Sequence, residues 1–466
     1  MRTFVVLAAA LAACGSPAKP PVAPVPDHPV AVAPPPPPAA PPVPTFPGVP
    51  HNPTGDQLAW VIDKIANSGG QLTIDDVNAH FSPQFLDNVS ADKVVELLPT
   101  MAAQLGAIAI DSVEQPAEGI IAHAKTAAGP IDFKLALDPA TGKIAGLVIE
   151  ENTGPPPTSY DEAIAQLKAL APHAQLLVAE IDAKGACKPL HALAATDELA
   201  IGSAFKLYVL LGLADRIIAG KQTWDDSIPV HDEWKSLASG VTQKDDAGTK
   251  LTIRELADRM ISISDNTATD HLLYTVGRKS VEAALRTAKH GKPALNIPFM
   301  GTREVFILKL GDAGDRAKYL SLAPEKRRAF LDQTLAGKPA VDTSADWDSA
   351  RSIDKLEWFA SAEDMCRVMA TLRDRGQTPK TAAVLDVLTK NKGEGLPIDN
   401  AAYPYVGFKG GSEPGVLALD WLLKRADGKW FFVGLALNAD EGGTVDDHKP
   451  FPIAIAVMNL LAKEAP

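Results

Sequence analysis

The chain has 466 residues, 46% hydrophobic and 22% charged, which is enough apolar material for a large core and for two domains. Its formal net charge of −12, with no cluster of lysine and arginine, argues against a nucleic-acid surface. Cys187 and Cys366 lie 179 positions apart, and their spacing leaves open whether an oxidising compartment pairs them.

Arg2 supplies one positive charge, Thr3 to Ala13 is almost wholly apolar, and Leu11-Ala12-Ala13-Cys14 sets a cysteine after small residues. The apolar run is about ten residues, too short to span a bilayer of roughly 30 Å. The pattern resembles the lipobox of bacterial lipoproteins. That implies a signal peptide over 1–13, a lipid on Cys14 and a place in the cell envelope, anchored on the periplasmic or extracellular side. An ordinary secretory signal is the alternative. From 15 to 50, 16 of 36 positions are proline, so 14–50 reads as an extended tether.

Residues 51–151 form their own unit. Leu58, Val61, Ile62 and Ile65 recur at helical spacing, as do Val94, Val95, Leu97, Leu98 and Met101. The period then changes, predicting strands over 107–113, 119–127, 131–137 and 144–150. This is a small α+β domain with a curved antiparallel sheet. His80 and His123 stand outside any ligand cluster and read as structural. Asn152-Thr153-Gly154-Pro155-Pro156-Pro157-Thr158 marks a linker over 152–159 before a larger unit, 160–466.

The larger unit carries the chemistry. Strands are predicted over Gln175 to Ile181 and near Ala194 to Ile201. Ile201-Gly202-Ser203-Ala204-Phe205-Lys206 then opens an apolar helix through Leu213. A serine at a helix start with a lysine three residues on brings an amine within reach of a hydroxyl. The helix dipole there favours negative charge on the serine oxygen. A lysine desolvated by an apolar helix can serve as a general base. Ser-x-x-Lys also occurs at Ser16, Ser90 and Ser352, so the pattern alone decides nothing. What singles out Ser203 lies downstream. After a helix over Ile253 to Ser262 comes Ser264-Asp265-Asn266, which can supply a hydroxyl and an amide to a cleft or simply cap a helix. Val406-Gly407-Phe408-Lys409-Gly410-Gly411-Ser412 suits a strand edge where a ligand nears the backbone and a cation meets its carboxylate, or a plain glycine-rich bend.

Taken together in this order, the three elements resemble the Ser-x-x-Lys, Ser-Asp-Asn and Lys-Thr-Gly motifs of class A β-lactamases and penicillin-binding proteins. Leu251 to Leu256 before the trio, Thr267 to Asp270 after it, and Ser361-Ala362-Glu363-Asp364-Met365 at a later helix start are similar as well. So are a last strand over Trp430 to Leu437 and a closing helix over Pro452 to Ala462. The resemblance implies an α+β hydrolase domain with an antiparallel sheet flanked by helices. In it Ser203, Lys206 and Ser264 would be catalytic, and Asn266, Lys409, Gly411 and Ser412 would bind substrate. It implies no metal and no cofactor. Two departures stand out. Gly410 replaces the third motif's hydroxyl residue, and no Glu-x-x-Leu-Asn segment lies between Asn266 and Ser361 to supply a deacylating base. That interval carries a charged, helix-like insertion around Asp315 to Gly337, and Glu304 is either the nearest substitute base or a salt-bridge residue.

The order of lipobox, tether, small domain and hydrolase half is similar to a two-domain group that includes the serine hydrolase of the clavulanic acid gene cluster. In that group the small domain is of ketosteroid isomerase or NTF2-like type. Gly55-Asp56-Gln57-Leu58-Ala59-Trp60 and His80-Phe81-Ser82-Pro83 are the matching stretches here. The resemblance implies β-lactamase-type hydrolysis of β-lactams, with esterase activity on activated acyl groups as a companion, while the missing Glu-x-x-Leu-Asn segment predicts rapid acylation of Ser203 and slow deacylation. A cell-wall peptidase or transpeptidase acting on D-alanyl peptides, and a non-catalytic β-lactam- or peptidoglycan-binding module, are the alternatives. The partners expected are a small-molecule or cell-wall peptide substrate and, through Cys14, the membrane, with no nucleic acid.

Overall fold

The computed structural model describes residues 44–116, 119–152, 154–237, 239–341, 347–391 and 398–464. Cys14, the 1–13 leader and nearly all of the 14–50 tether lie outside the described residues. The chain divides into two compact units, one ending at Gly154 and the other beginning at Pro155. Among the described residues no helix is long and apolar enough to cross a membrane.

In the first unit four helices precede four strands: α1 (Pro53–Ala66), α2 (Ile74–His80), α3 (Pro83–Asn88) and α4 (Ala91–Leu105), then β1 (Ala109–Glu114), β2 (Ile120–Thr126), β3 (Gly129–Leu137) and β4 (Ile144–Glu151). Hydrophobic periodicity shows α1, α4 and the strands. It does not show α2 and α3, whose seven and six residues are too few to display a helical period. Their caps are legible instead: Thr73 and Asp76 form a capping box, and Ser82 caps α3 with Pro83 in the first turn. The strands pair antiparallel in the order β1-β2-β3-β4, and Ala122, Phe133, Leu147 and Ile149 pack with Val61, Ile62, Leu98 and Met101. His80 stacks on Trp60 with ring centroids 3.7 Å apart, and His123 Nδ1 lies 2.6 Å from Asp132 Oδ1.

The second unit runs α5 (Tyr160–Leu170), β5 (His173–Ile181), β6 (Cys187–Leu193), β7 (Leu199–Ala200), α6 (Lys206–Ile218), β8 (Ser227–Pro229), β9 (Lys250–Thr252), α7 (Ile253–Ser262), α8 (Asn266–Val276), α9 (Arg278–Thr287), α10 (Thr302–Leu310), α11 (Ala313–Ser321), α12 (Pro324–Phe330), β10 (Phe359–Ala360), α13 (Ala362–Gly376), α14 (Ala383–Leu388), β11 (Tyr405–Glu413), β12 (Val416–Lys424), β13 (Trp430–Asn438) and α15 (Pro450–Lys463). Five strands form an antiparallel sheet in the order β11-β12-β13-β5-β6. One face, with Val178, Trp421, Leu423 and Val433, packs on Leu167 of α5 and Val457 and Leu461 of α15. The other, with Leu177, Ala418, Leu422 and Phe432, packs on Leu207 and Leu211 of α6 and Met369 of α13.

Two strand expectations need correction. The partner of β5 is β6 at Cys187–Leu193, and the stretch 194–201 contributes only Leu199–Ala200, which pairs with Phe359–Ala360. The whole of β12 is absent from the pattern reading. Its run Val416-Leu417-Ala418-Leu419-Asp420-Trp421-Leu422-Leu423 is buried on both faces, so apolar and polar residues do not alternate along it. The charged stretch at 315–337 does hold helices, with α12 continuing into a π-helical turn over Leu331–Leu335. Cys187 and Cys366 form a disulfide that ties β6 to α13. A bond of this kind stabilises a domain by typically about 2–4 kcal/mol.

Candidate active site

Ser203 sits in a 3₁₀ turn, Gly202–Phe205, and α6 proper begins at Lys206 rather than at the serine. The turn is held from behind. Phe205 stacks on Trp358 at 3.7 Å between centroids, and Ile201 N donates to Trp358 O at 3.0 Å. On α6 every residue from Lys206 to Ala214 is buried, so the lysine starts its helix inside the core.

The Ser264-Asp265-Asn266 trio joins α7 to α8. Asp265 is the helix cap that its residue type predicts: Oδ1 accepts from Ala268 N, and Oδ2 accepts from Val241 N, Thr242 N and Thr242 Oγ1, each at 2.8 Å. With the cap made by Asp265, Ser264 takes a left-handed conformation (φ 55°) that few non-glycine residues adopt. Its hydroxyl meets the amines of Lys206 and Lys409.

Lys206 Nζ is the hub. It lies 3.0 Å from Ser203 Oγ and 3.0 Å from Ser264 Oγ, and it donates to Ser264 O at 2.6 Å and to Asn266 Oδ1 at 2.7 Å. None of these four oxygens carries a formal charge. Burial, reinforced by the positive charge of Lys409, drives the Lys206 amine well below the ordinary lysine range. Asn266 also donates from Nδ2 to Leu237 O at 3.2 Å, which fixes the direction of its amide.

Lys409 reaches the same place from β11. Its Nζ donates to Ser264 Oγ at 3.0 Å and to Gly410 O, and burial lowers it to about 7 against the opposing pull of Asp420. Side chains alternate along the strand, so Lys409, Gly411 and Glu413 share one side. These three meet three different segments: Lys409 meets Ser264, Gly411 meets the Ser203 turn, and Glu413 meets Lys309 of α10. Gly411 is obligatory for the second contact, because a Cβ there would lie 2.6 Å from Ser203 N and 2.1 Å from Ile201 O. Ser412, expected to bind substrate, is exposed and on the alternate side. Its main chain, rather than its hydroxyl, continues the strand past the nucleophile.

Glu304 is the N3 residue of α10, where Oε2 accepts from Gly301 N at 2.7 Å. Its carboxylate also pairs with Arg278 through contacts of 2.7 and 3.0 Å. This is the salt-bridge role. Among the described residues no carboxylate is hydrogen-bonded to Ser203 or Lys206. Asp270, which the sequence marks only as the end of the stretch after the trio, has a buried carboxyl pushed up to about 7 by burial. Asp270 accepts from Thr302 N at 2.7 Å and Arg303 N at 2.9 Å, and so fastens the start of α10 to α8. Asp420 was passed over, although a lone aspartate in an apolar run is itself a signal.

Residues 175–401 match the model of the β-lactamase enzyme family, a span that includes Ser203, Lys206, Ser264 and Asn266 but stops short of Lys409. Residues 49–144 match the model described as the ORF 12 gene product N-terminal. No curated protein matches the chain. Similar solved structures include a β-lactamase from Sphaerobacter thermophilus, at 19% identity over 65% of this chain and 94% of that one with a TM-score of 0.44. A β-lactamase from Francisella tularensis has 13% identity over 65% and 98%, with a TM-score of 0.46. A protein designated PBP-A has 14% identity over 66% and 99%, with a TM-score of 0.42. The matched span, 175–401, lies within the second unit, and over that span the chain is similar to the β-lactamase enzyme family.

Proposed function

We propose that this chain is an exported serine acyl-transfer hydrolase that is acylated at Ser203 by β-lactams or related activated esters and released slowly. The observation that carries the reading is the contact between Ser203 Oγ and a buried Lys206 amine whose other neighbours are uncharged oxygens. A neutral amine can take the serine proton as Oγ attacks the acyl carbonyl, forming the ester and an ammonium. Ser264 Oγ, 3.0 Å from both lysine nitrogens, can return that proton to the departing nitrogen or oxygen. The strand backbone at Gly411–Ser412 passes against Ser203 N, so main-chain N–H groups of Ser203 and Ser412 are the donors for the oxyanion. Lys409 binds the substrate carboxylate and Asn266 its amide.

Slow release follows from the uncharged surroundings of Ser203. General acid–base catalysis contributes typically about 10²- to 10⁴-fold, and with no carboxylate hydrogen-bonded to Ser203 or Lys206 among the described residues, Lys206 serves in both half-reactions. The same observation favours a second reading, a penicillin-sensitive peptidase or transpeptidase whose natural acyl donor is a peptide ending in D-alanine. Export rests on the Leu11-Ala12-Ala13-Cys14 pattern, the proline tether and the Cys187–Cys366 disulfide, which an oxidising compartment sustains.

Mass spectrometry with benzylpenicillin tests the centre of the reading. One adduct on Ser203, lost in Ser203→Ala while the fold persists, is expected; full labelling of the variant would refute it. A chromogenic cephalosporin should give a burst of about one equivalent and then a slow phase, whereas rapid linear turnover from the start would contradict slow release. Cys14→Ala should leave the membrane fraction, and its retention there after a salt wash would rule out the lipid anchor.

A further inference from the structure

The second unit holds another cleft, of about 640 Å³, and neither Ser203 nor any side chain that contacts Lys206 is in its lining. It lies where β5 begins at His173 and β13 ends at Asn438, against the short pair of β7 with β10. Asn438 fastens β7 there: Oδ1 accepts from Ala200 N at 2.8 Å, and Nδ2 donates to Ala200 O at 2.9 Å. Part of the lining is apolar, made by Leu199, Leu295, Ile353 and Phe359, and Leu295 is 49% exposed.

The rest of the lining is dominated by carboxylates. Glu198, Asp354, Asp440 and Glu441 stand against Lys355 and His173. Three of the four are partnered: Asp354 with Lys355 at 3.0 Å, Asp440 with His173 at 3.1 Å, and Glu441, which accepts from Ser352 N at 2.7 Å. Glu198 is not. Its Oε2 is buried and has no hydrogen-bond partner among the described residues. Lys292 and Arg367 act on it only from a distance, Asp364 opposes them, and Arg367 is committed to Glu363 and Asp364.

A second orphan stands beside the first. Gln175 follows His173 on the same face of β5, is 1% exposed, and donates from Nε2 to Asp197 O, next to Glu198, while its Oε1 has no partner. Both unmet groups are acceptors, and a buried acceptor without a donor is costly. A cleft with surplus carboxylates, unmet acceptors and an apolar wall suits a ligand that brings donors, positive charge and a hydrocarbon surface. An ammonium on an alkyl stem has all three, since it offers three N–H donors and no acceptor.

We propose that this cleft is a second binding site, separate from the acyl-transfer site, for a small organic cation whose ammonium group sets against Glu198 and whose apolar stem lies along Leu295, Ile353 and Phe359. Binding there would touch β7, the strand that leads into the Ser203 turn.

The test titrates the full chain by calorimetry with three probes of one shape: n-hexylammonium, 1-hexanol and hexanoate. Hexylammonium should bind about tenfold more tightly than hexanol, as a hydrogen bond to a charged group predicts, and hexanoate should show no binding. Glu198→Gln should weaken hexylammonium about tenfold and leave hexanol unchanged. Leu295→Ser, at an exposed position, should weaken both about fivefold by removing apolar contact. Melting curves check that each variant is folded, and if Glu198→Gln does not fold, the three probes on the unaltered chain and on Leu295→Ser still decide. Hexylammonium binding no tighter than hexanol would leave the orphaned acceptors to water and overturn the proposal. So would undiminished binding of hexylammonium by Glu198→Gln or by Leu295→Ser. None of these readouts depends on acylation of Ser203, so this proposal and the proposed function fail separately.

Discussion

Two buried lysine neighbourhoods lie on the same side of β11, and they carry opposite electrostatics. At one end Lys309 of α10 is fully buried, with Nζ 2.7 Å from Glu357 Oε1 and in contact with Glu413. Carboxylates on two sides outweigh the burial and hold it above the ordinary lysine range. At the other end Lys206 and Lys409 are buried to the same degree but meet hydroxyls, carbonyls, an amide and each other, and both are lowered. Burial alone does not make a lysine a base. The partners decide: carboxylates turn a buried amine into a structural cation, and neutral oxygens leave it able to accept a proton.

The largest effect is expected from removing the amine beside Ser203. Lys206→Ala should slow acylation of Ser203 by about 10³-fold, within the range for loss of a general base, with little loss of thermal stability because no paired charge is removed. Time-resolved mass spectrometry and a melting curve check this together. Acylation at an unchanged rate would move the base elsewhere.

The structural end should respond in the opposite way. Lys309→Met leaves Glu357 and Glu413 together without their cation, and we expect a loss of about 3–5 kcal/mol with the acylation chemistry intact in whatever remains folded. The sign of its pH dependence is set by Glu413, whose carboxyl is already raised by burial and by Glu357. A folded state that holds this proton more tightly than the unfolded chain is stabilised below the ordinary glutamate range and loses that stability as pH rises. Denaturant melts of the variant between pH 4 and pH 8 should therefore show falling stability. A rise would mean that the pair is fully ionised.

Glu304→Gln sharpens the contrast at a site that sequence order alone made a candidate base. It should cost about 3 kcal/mol, because Arg278 loses its bidentate partner, and should leave the slow phase of turnover unchanged. Slower deacylation without loss of stability would restore Glu304 as a base.

The smallest effect expected is on the pH profile itself. With the neutral p-nitrophenyl acetate, acylation needs Lys206 unprotonated, so the rate should rise with pH and reach its plateau well below the ordinary lysine range. A rise still climbing near pH 10 would show that the amine is not desolvated.

The residues proposed to carry the chemistry stand out in the sequence because each is announced locally. Ser203 and Lys206 stand one turn apart before an apolar helix, Ser264 and Asn266 flank a capping aspartate, and Lys409 precedes a pair of glycines. Helices with a clear period and strands with a clean alternation were legible for the same reason, and the short capped helices and the doubly buried β12 were not. No local pattern could say that Ser264 would adopt a left-handed backbone, that Gly411 would press against Ser203 N, or that Cys187 would meet Cys366. Nor could it say that Asp420 would lie beside Lys409, or that Glu304 would be spent on Arg278. Most of these depend on segments brought together from tens to hundreds of residues apart, and they exist only once the sheet sets its register and the helices pack on it. Residue types and their local spacing are enough to show which groups the proposed acyl transfer could use. The tertiary structure decided which of them are desolvated together, because the dielectric and the partners around an amine are properties of the packed core.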